Sequence, residues 1–212
     1  MRTPITIPAV AAAAVLCGPP RLHAADVPPA FRQYVARPEH VAAVGEHARA
    51  FIAKDPSCKL ETARTVGASL LTPVIFGPDG TPKSGTWKEI IHVEGCSRSG
   101  VYNVATAVDA SGGIHVFGLL PGTSIADPQL ERDAVTQALM AASRKVSPNC
   151  TETHVVDTAF ESYADTSNPG IEPGREARSW HERWTVQSCA ATIPVEMTFT
   201  PHPGGTGIVA TL

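Results

Sequence analysis

The decapeptide WHERWTVQSC at residues 180–189 has a counterpart in WKEIIHVEGC at residues 87–96. In both, Trp stands nine positions before Cys, a Glu (Glu182, Glu89) follows the Trp by two, and a Val (Val186, Val93) sits three before the Cys. A further Cys lies upstream of each copy, Cys150 and Cys58, at separations of 39 and 38. The copies are offset by 92 positions at the first Cys and by 93 at the Trp and the second Cys. Four landmarks kept in step over that distance indicate a tandem duplication. Within each decapeptide the apolar residues alternate, the two-residue period of a strand with one buried face. Trp87, Glu89, Ile91 and Val93 fall on one face, and Trp180, Glu182, Trp184 and Val186 on the corresponding one.

Working outward, the flanks repeat the same order of elements. Upstream of Cys58, Val41, Val44, Ala48, Phe51 and Ile52 recur at helical spacing behind Pro38, a residue suited to a first helical turn. Upstream of Cys150, Asp127 and Pro128 form an N-cap and first turn, and Leu130, Ala134, Ala138, Met140, Ala141 and Val146 mark a helix ending near Lys145. After each first Cys come four strand-like runs. In the first copy they cover residues 62–76, 87–96, 101–108 and 114–120; in the second, 155–163, 180–189, 194–200 and 207–212. Glycine-rich turns separate them, Gly77-Pro78-Asp79-Gly80 the strongest stop among them. The expected fold is α+β: a tandem duplication of a helix plus a four-stranded antiparallel sheet, with modules at residues 26–125 and 126–212. Residues 26–37, with Pro28 and Pro29, read as an extended leader.

Residues 1–25 read as a secretory signal peptide: Arg2, an apolar run from Ile5 to Cys17, a Gly-Pro-Pro break and small residues at Ala24 and Ala25. That run is shorter than the ~20 residues of a bilayer span, and no other segment is long and apolar enough. A lipoprotein anchored through Cys17 is the lesser alternative, since Leu16 precedes it where a small residue is expected. The expected location is therefore periplasmic or secreted. Removing the leader deletes two basic residues and no acid, leaving 15 basic against 20 acidic. No basic run exists to hold nucleic acid or an anionic membrane. The remaining four Cys, in an exported chain, predict two disulfides. The repeat selects Cys58–Cys96 and Cys150–Cys189 from the three possible pairings.

Chemistry-bearing motifs are few. Glu89 and Glu182, each on an apolar strand face, are candidates for a carboxylate with a raised pKa. The more ordinary expectation is that each reaches solvent or pairs with Lys88, Arg183 or the neighbouring strand. His40 and His47 lack the His-Glu-x-x-His spacing of a zinc hydrolase and read as surface residues flanking the helix stripe. Residues 95–100, GCSRSG, do not form Gly-x-Ser-x-Gly. There is no phosphate-binding glycine motif, and no cofactor or metal is expected. Trp180 and Trp184 are expected to pack on the second helix around Ala138 and Met140; exposure of Trp184 would instead mark a ligand contact. Asn168, in the loop at residues 165–175, is the candidate on irregular backbone, where binding residues concentrate.

The W-x-E-x-x-x-V-x-x-C strand, its second Cys and the connector LLPGTSIADPQLERDA resemble uncharacterised exported proteins of Gram-negative bacteria over nearly all of the mature chain. A shorter stretch, the hairpin at residues 108–113 followed by the helix at 127–139, is similar to the C-terminal domain of TonB-type energy transducers. The chain departs from that family in a leader that reads as cleavable instead of a retained anchor, and in lacking a long Pro-rich spacer. These features favour a non-catalytic binding or structural protein with an envelope or extracellular protein partner. A TonB-like interaction domain or a hydrolase inhibitor comes next, and a carboxylate enzyme using Glu89 or Glu182 third.

Overall fold

The computed structural model describes residues 28–52, 60–95, 98–146, 149–167, 170 and 177–212. Cys58, Cys96, Asn168 and the segment at residues 1–25 lie outside them, as does most of the loop at 165–175.

Among the described residues, three helices and eight strands make a mixed α+β fold that is mostly sheet. Helices α1 (Pro29–Val35) and α2 (Pro38–Ile52) precede β1 (Leu60–Phe76), β2 (Pro82–Gly95), β3 (Arg98–Val108) and β4 (Ile114–Pro121). Helix α3 (Pro128–Ala142), extended by a 3-10 turn at Ser143–Lys145, precedes β5 (Thr153–Ser167), β6 (Arg178–Ser188), β7 (Ala191–His202) and β8 (Gly205–Thr211). The strands form two antiparallel meanders, sheet 1 in the order β1-β2-β3-β4 and sheet 2 in the order β5-β6-β7-β8. Residues 87–95 and 180–188 of the decapeptides lie in β2 and β6, the second strand of each sheet, where both neighbours are hydrogen-bonded.

The alternation places the core. On β2, Trp87, Glu89, Ile91 and Val93 all face inward and are fully buried. Ile91 and Val93 pack with Val44 and Ala48 of α2, while Trp87 packs with Phe31 and Tyr34 of α1. In the second half Trp180, Trp184 and Val186 join Val195, Met197 and Phe199 of β7 under the alanine stripe of α3, Ala134, Ala138, Ala141 and Ala142. Small alanines let α3 lie close to the sheet. Burying one of the larger apolar side chains contributes about 1.5–3 kcal/mol.

Three sequence expectations are corrected. Residues 29–35 are helical, not extended: Pro29 opens the helix, where its missing N–H costs nothing. Phe31 and Tyr34, three apart, then share the face that meets Trp87 edge-on, at ring centroid distances of 5.5 and 5.8 Å. His40 is buried, because the stripe that faces the sheet runs through 40, 44 and 48. Met140 is 62% exposed; two residues from Ala138, it points about 200° around the helix from it.

The two halves are joined by hydrogen bonds through residues 121–126. Gly122 forms a parallel bridge with Thr158 of β5, Thr123 N–H donates to the Thr158 carbonyl at 2.6 Å, and Ser124 N–H to its hydroxyl at 3.2 Å. Gly122 has φ +104°, and a Cβ there would stand 1.9 Å from the Thr158 oxygen, so the crossing requires glycine. From sheet 1, Asn103 Nδ2 donates to the carbonyls of Leu120 and Gly122, each at 2.9 Å.

Candidate functional site

The two Glu side chains sit in equivalent cages. Because residues i and i+2 share a strand face, Trp87 lies beside Glu89 and Trp180 beside Glu182. Each indole Nε1–H donates to the Oε1 of its own Glu, at 2.8 and 2.9 Å. The remaining donors differ. Glu89 Oε1 also contacts His40 Nε2 at 2.7 Å, and its Oε2 accepts from Thr65 Oγ1 at 2.8 Å. Glu182 Oε1 also accepts from the backbone N–H of Ile125 at 3.0 Å, and its Oε2 from Trp184 Nε1 at 2.8 Å. Glu89 thus ties α2 to sheet 1, and Glu182 ties the connector to sheet 2. Both carboxylates have 0% exposure. Neither Glu reaches solvent or pairs with Lys88 or Arg183, but Glu89 does pair with the neighbouring strand, through Thr65 of β1. The indoles, His40 and the Ile125 N–H take up the remaining oxygen positions.

The neighbouring charges are engaged elsewhere. Lys88, one residue along, points to the opposite face of sheet 1 and is 5% exposed. Its Nζ donates to the carbonyls of Ser124 and Ala126, each at 2.9 Å, and meets Glu131 Oε2 of α3 at 3.4 Å. Burial pushes the Glu131 carboxyl above its ordinary range, opposed by the Lys88 charge and by the Leu120 N–H that donates to its Oε1. Arg183 lies on the outer face of sheet 2, between Glu161 of β5 and Glu196 of β7, bonded to the latter at 3.0 Å. Those carboxylates raise its pKa further above the ordinary arginine value.

Trp184 is fully buried, in the same cluster as Ala138, with its ring 6.4 Å from that of Phe199. A ligand cannot reach it in this fold. Cys150 and Cys189 are bonded, with Cα atoms 5.9 Å apart, inside the range disulfide geometry allows.

One constellation escaped the sequence reading. Ser99 Oγ at the start of β3 lies 3.1 Å from His92 Nε2 on β2, and His92 Nδ1 lies 3.9 Å from Glu94 Oε1. The composition is that of a nucleophile, base and acid. The second step is too long for a hydrogen bond, and Glu94 is instead held by Thr62 Oγ1 at 3.2 Å. No relay through His92 operates in this arrangement. The trace in the sequence was His92-x-Glu94, same-face spacing on a strand; the β2–β3 register sets Ser99 opposite Glu94. Among the described residues no three His, Cys, Asp or Glu side chains converge as a metal site.

A groove of about 510 Å³ opens where α3 borders the outer face of sheet 1. Ala105 and Ala107 form its floor, Phe117 one wall, and Pro128, Arg132 and Val135 of α3 the other. Comparison with family models, with characterised proteins and with solved structures gave no match to this chain.

Proposed function

We propose that the mature chain is an exported, non-catalytic binding protein, periplasmic or secreted, built from two copies of one helix-and-sheet module and recognising an envelope or extracellular protein. The observation that carries the non-catalytic part is the state of Glu89 and Glu182. A general acid or base must come within hydrogen-bond reach of the proton it moves. Both carboxylates are fully buried and every oxygen is already accepting from the protein's own donors. They act as internal tethers, and the chemistry open to the chain is that of its surface.

The like placement of Trp-x-Glu on β2 and β6 supports descent from one duplicated module. The leader at residues 1–25 supports export, and the disulfide fits an oxidising compartment. A TonB-like interaction domain and a hydrolase inhibitor belong to the same class of reading. They are separated from each other by whether the captured partner is an outer-membrane receptor or an enzyme that loses activity on binding.

The test uses purified mature protein. Chromogenic substrates for esterases, phosphatases, glycosidases and peptidases are expected to show no turnover. Capture from envelope extract, repeated reciprocally with the purified partner as bait, is expected to return one saturable complex. Turnover that disappears in a folded Glu89→Gln or Glu182→Gln variant would overturn the reading in favour of a carboxylate enzyme.

A further inference from the structure

We propose that the groove between sheet 1 and α3 binds a monomeric long-chain carboxylate, its alkyl chain along the alanine floor and its head group at Arg132. The cleft exists for a structural reason. On β3 the outward positions Ala105 and Ala107 carry short side chains, so they leave space beside α3. The space does not close, because buried Lys88 fixes the connector and Glu131 at set distances from the sheet. At about 510 Å³ it falls in the ~300–1,000 Å³ range of small-molecule sites.

The helix presents two stripes. Ala134, Ala138, Ala141 and Ala142 are spent on sheet 2. Pro128, Glu131, Arg132 and Val135, at the i, i+3, i+4, i+7 spacing of one face, turn to the groove. Their charges are unequal in what they can offer. Glu131 is committed to Lys88 and to Leu120 N–H. Arg132 is exposed and has no hydrogen bond or ion pair among the described residues. An apolar slot whose uncommitted charge is positive complements an apolar chain with an anionic head.

The wall is held ready. Phe117 is 51% exposed, with its ring stacked on His115 at 6.4 Å, and His115 Nε2 is held by Asp109 Oδ2 at 2.8 Å. An aromatic fixed before binding loses little freedom on contact. Sheet 2 lacks the counterpart. In its corresponding register Thr198 and Thr200 replace the alanines and Val209 replaces Phe117. The feature therefore belongs to this junction, not to the repeated fold.

Isothermal titration with dodecanoate, below the concentration at which it forms micelles, tests the assignment. One saturable site per chain is expected, with dodecyltrimethylammonium failing to compete. Arg132→Glu should weaken binding at least about tenfold, what losing one charge-assisted contact converts to. Ala107→Trp should abolish it by filling the floor. Thr200→Trp, at the matching position of sheet 2, should leave it unchanged. Absence of saturable binding, equal binding of the cationic amphiphile, binding to anionic vesicles but not to the monomer, or indifference to Arg132→Glu would each overturn the proposal. Arg132 is exposed, so that arm decides the matter even if the tryptophan variant fails to fold. The inference goes beyond the protein-partner reading, which a negative titration leaves standing.

Discussion

Glu182→Gln is close to isosteric and leaves no cavity, so its effect isolates the hydrogen bonds. Glu182 accepts from Trp180 Nε1 at 2.9 Å and Ile125 N–H at 3.0 Å on one oxygen, and from Trp184 Nε1 at 2.8 Å on the other. A glutamine has one acceptor oxygen. Placed toward Trp180 and Ile125, it turns its NH₂ toward the Trp184 indole, and two donors face each other in a site with no exposure. The opposite orientation sets the NH₂ against two donors and is worse. The loss is one hydrogen bond to a charged group, about 1.5–3 kcal/mol, plus a share of the penalty for buried unsatisfied donors, partly offset because a charge no longer has to be buried. The net expected cost is about 2–4 kcal/mol. In a chain of this size that lowers Tm by roughly 4–16 °C.

Urea and thermal unfolding followed by tryptophan fluorescence read this directly. In a Trp184→Phe background the opposing donor is gone, so the same Glu182→Gln change should cost about 1–2 kcal/mol less, a coupling within the range expected of residues in contact. A single-variant loss under about 0.5 kcal/mol, or a coupling of zero, would mean that the carboxylate is not held by the indoles, and the tether argument fails with it.

Lys88→Met should cost about 3–5 kcal/mol at neutral pH, since it strands Glu131 as a buried charge, and Lys88→Met/Glu131→Leu should recover most of that. The deficit should shrink as pH falls: burial raises the Glu131 carboxyl, more so without the lysine, and a raised acid favours the fold in its protonated form. A deficit independent of pH between 5 and 8 refutes it. Asp109 accepts from Ser111 Oγ, His115 Nε2 and Gly113 N–H, which hold its carboxyl well below the usual range. Its contribution is therefore complete above about pH 4 and lost as pH falls below that. Carboxyl NMR should show Asp109 titrating below the other acids, and Asp109→Asn should remove part of the acid limb of unfolding; titration near pH 4 contradicts this. Cys150→Ser/Cys189→Ser, opening a loop with a sequence separation of 39, should cost roughly 4 kcal/mol. Non-reducing peptide mapping should also recover a Cys58–Cys96 peptide, and any cross-pair defeats that pairing.

What the sequence made legible was whatever depends on period and punctuation. The alternation in residues 87–96 and 180–189 gave the inward faces of β2 and β6, and glycine-rich turns separated strands that lie side by side. What it hid depends on who stands opposite. His40 is four residues from Val44 and eight from Ala48, so a stripe centred on 40, 44 and 48 was available. A polar residue in that position carries no hint of its acceptor until Glu89 is placed beneath it. Lys88 is more opaque still. It alternates outward, as a solvent-facing lysine would, and only the return of α3 to that side of sheet 1 buries it.

The two cages explain why a carboxylate stands where an apolar residue would otherwise serve. Buried indole N–H groups need acceptors, and a strand's carbonyls are committed to its neighbours. The Glu two residues along supplies an acceptor on the same face, in both sheets. Its second oxygen accepts within the sheet, from Thr65 of β1 in sheet 1 and from Trp184 of β6 in sheet 2, while the first is shared with what lies above, His40 of α2 in one half and the Ile125 N–H of the connector in the other. One motif thus fixes a helix in the first half and the connector in the second. A hydrophobic replacement could fill the same volume but could not distinguish these overlying elements. If the halves derive from one module, the shared part of the cage is the Trp–Glu bond, and the differing donors mark where the second half adapted to being joined to the first.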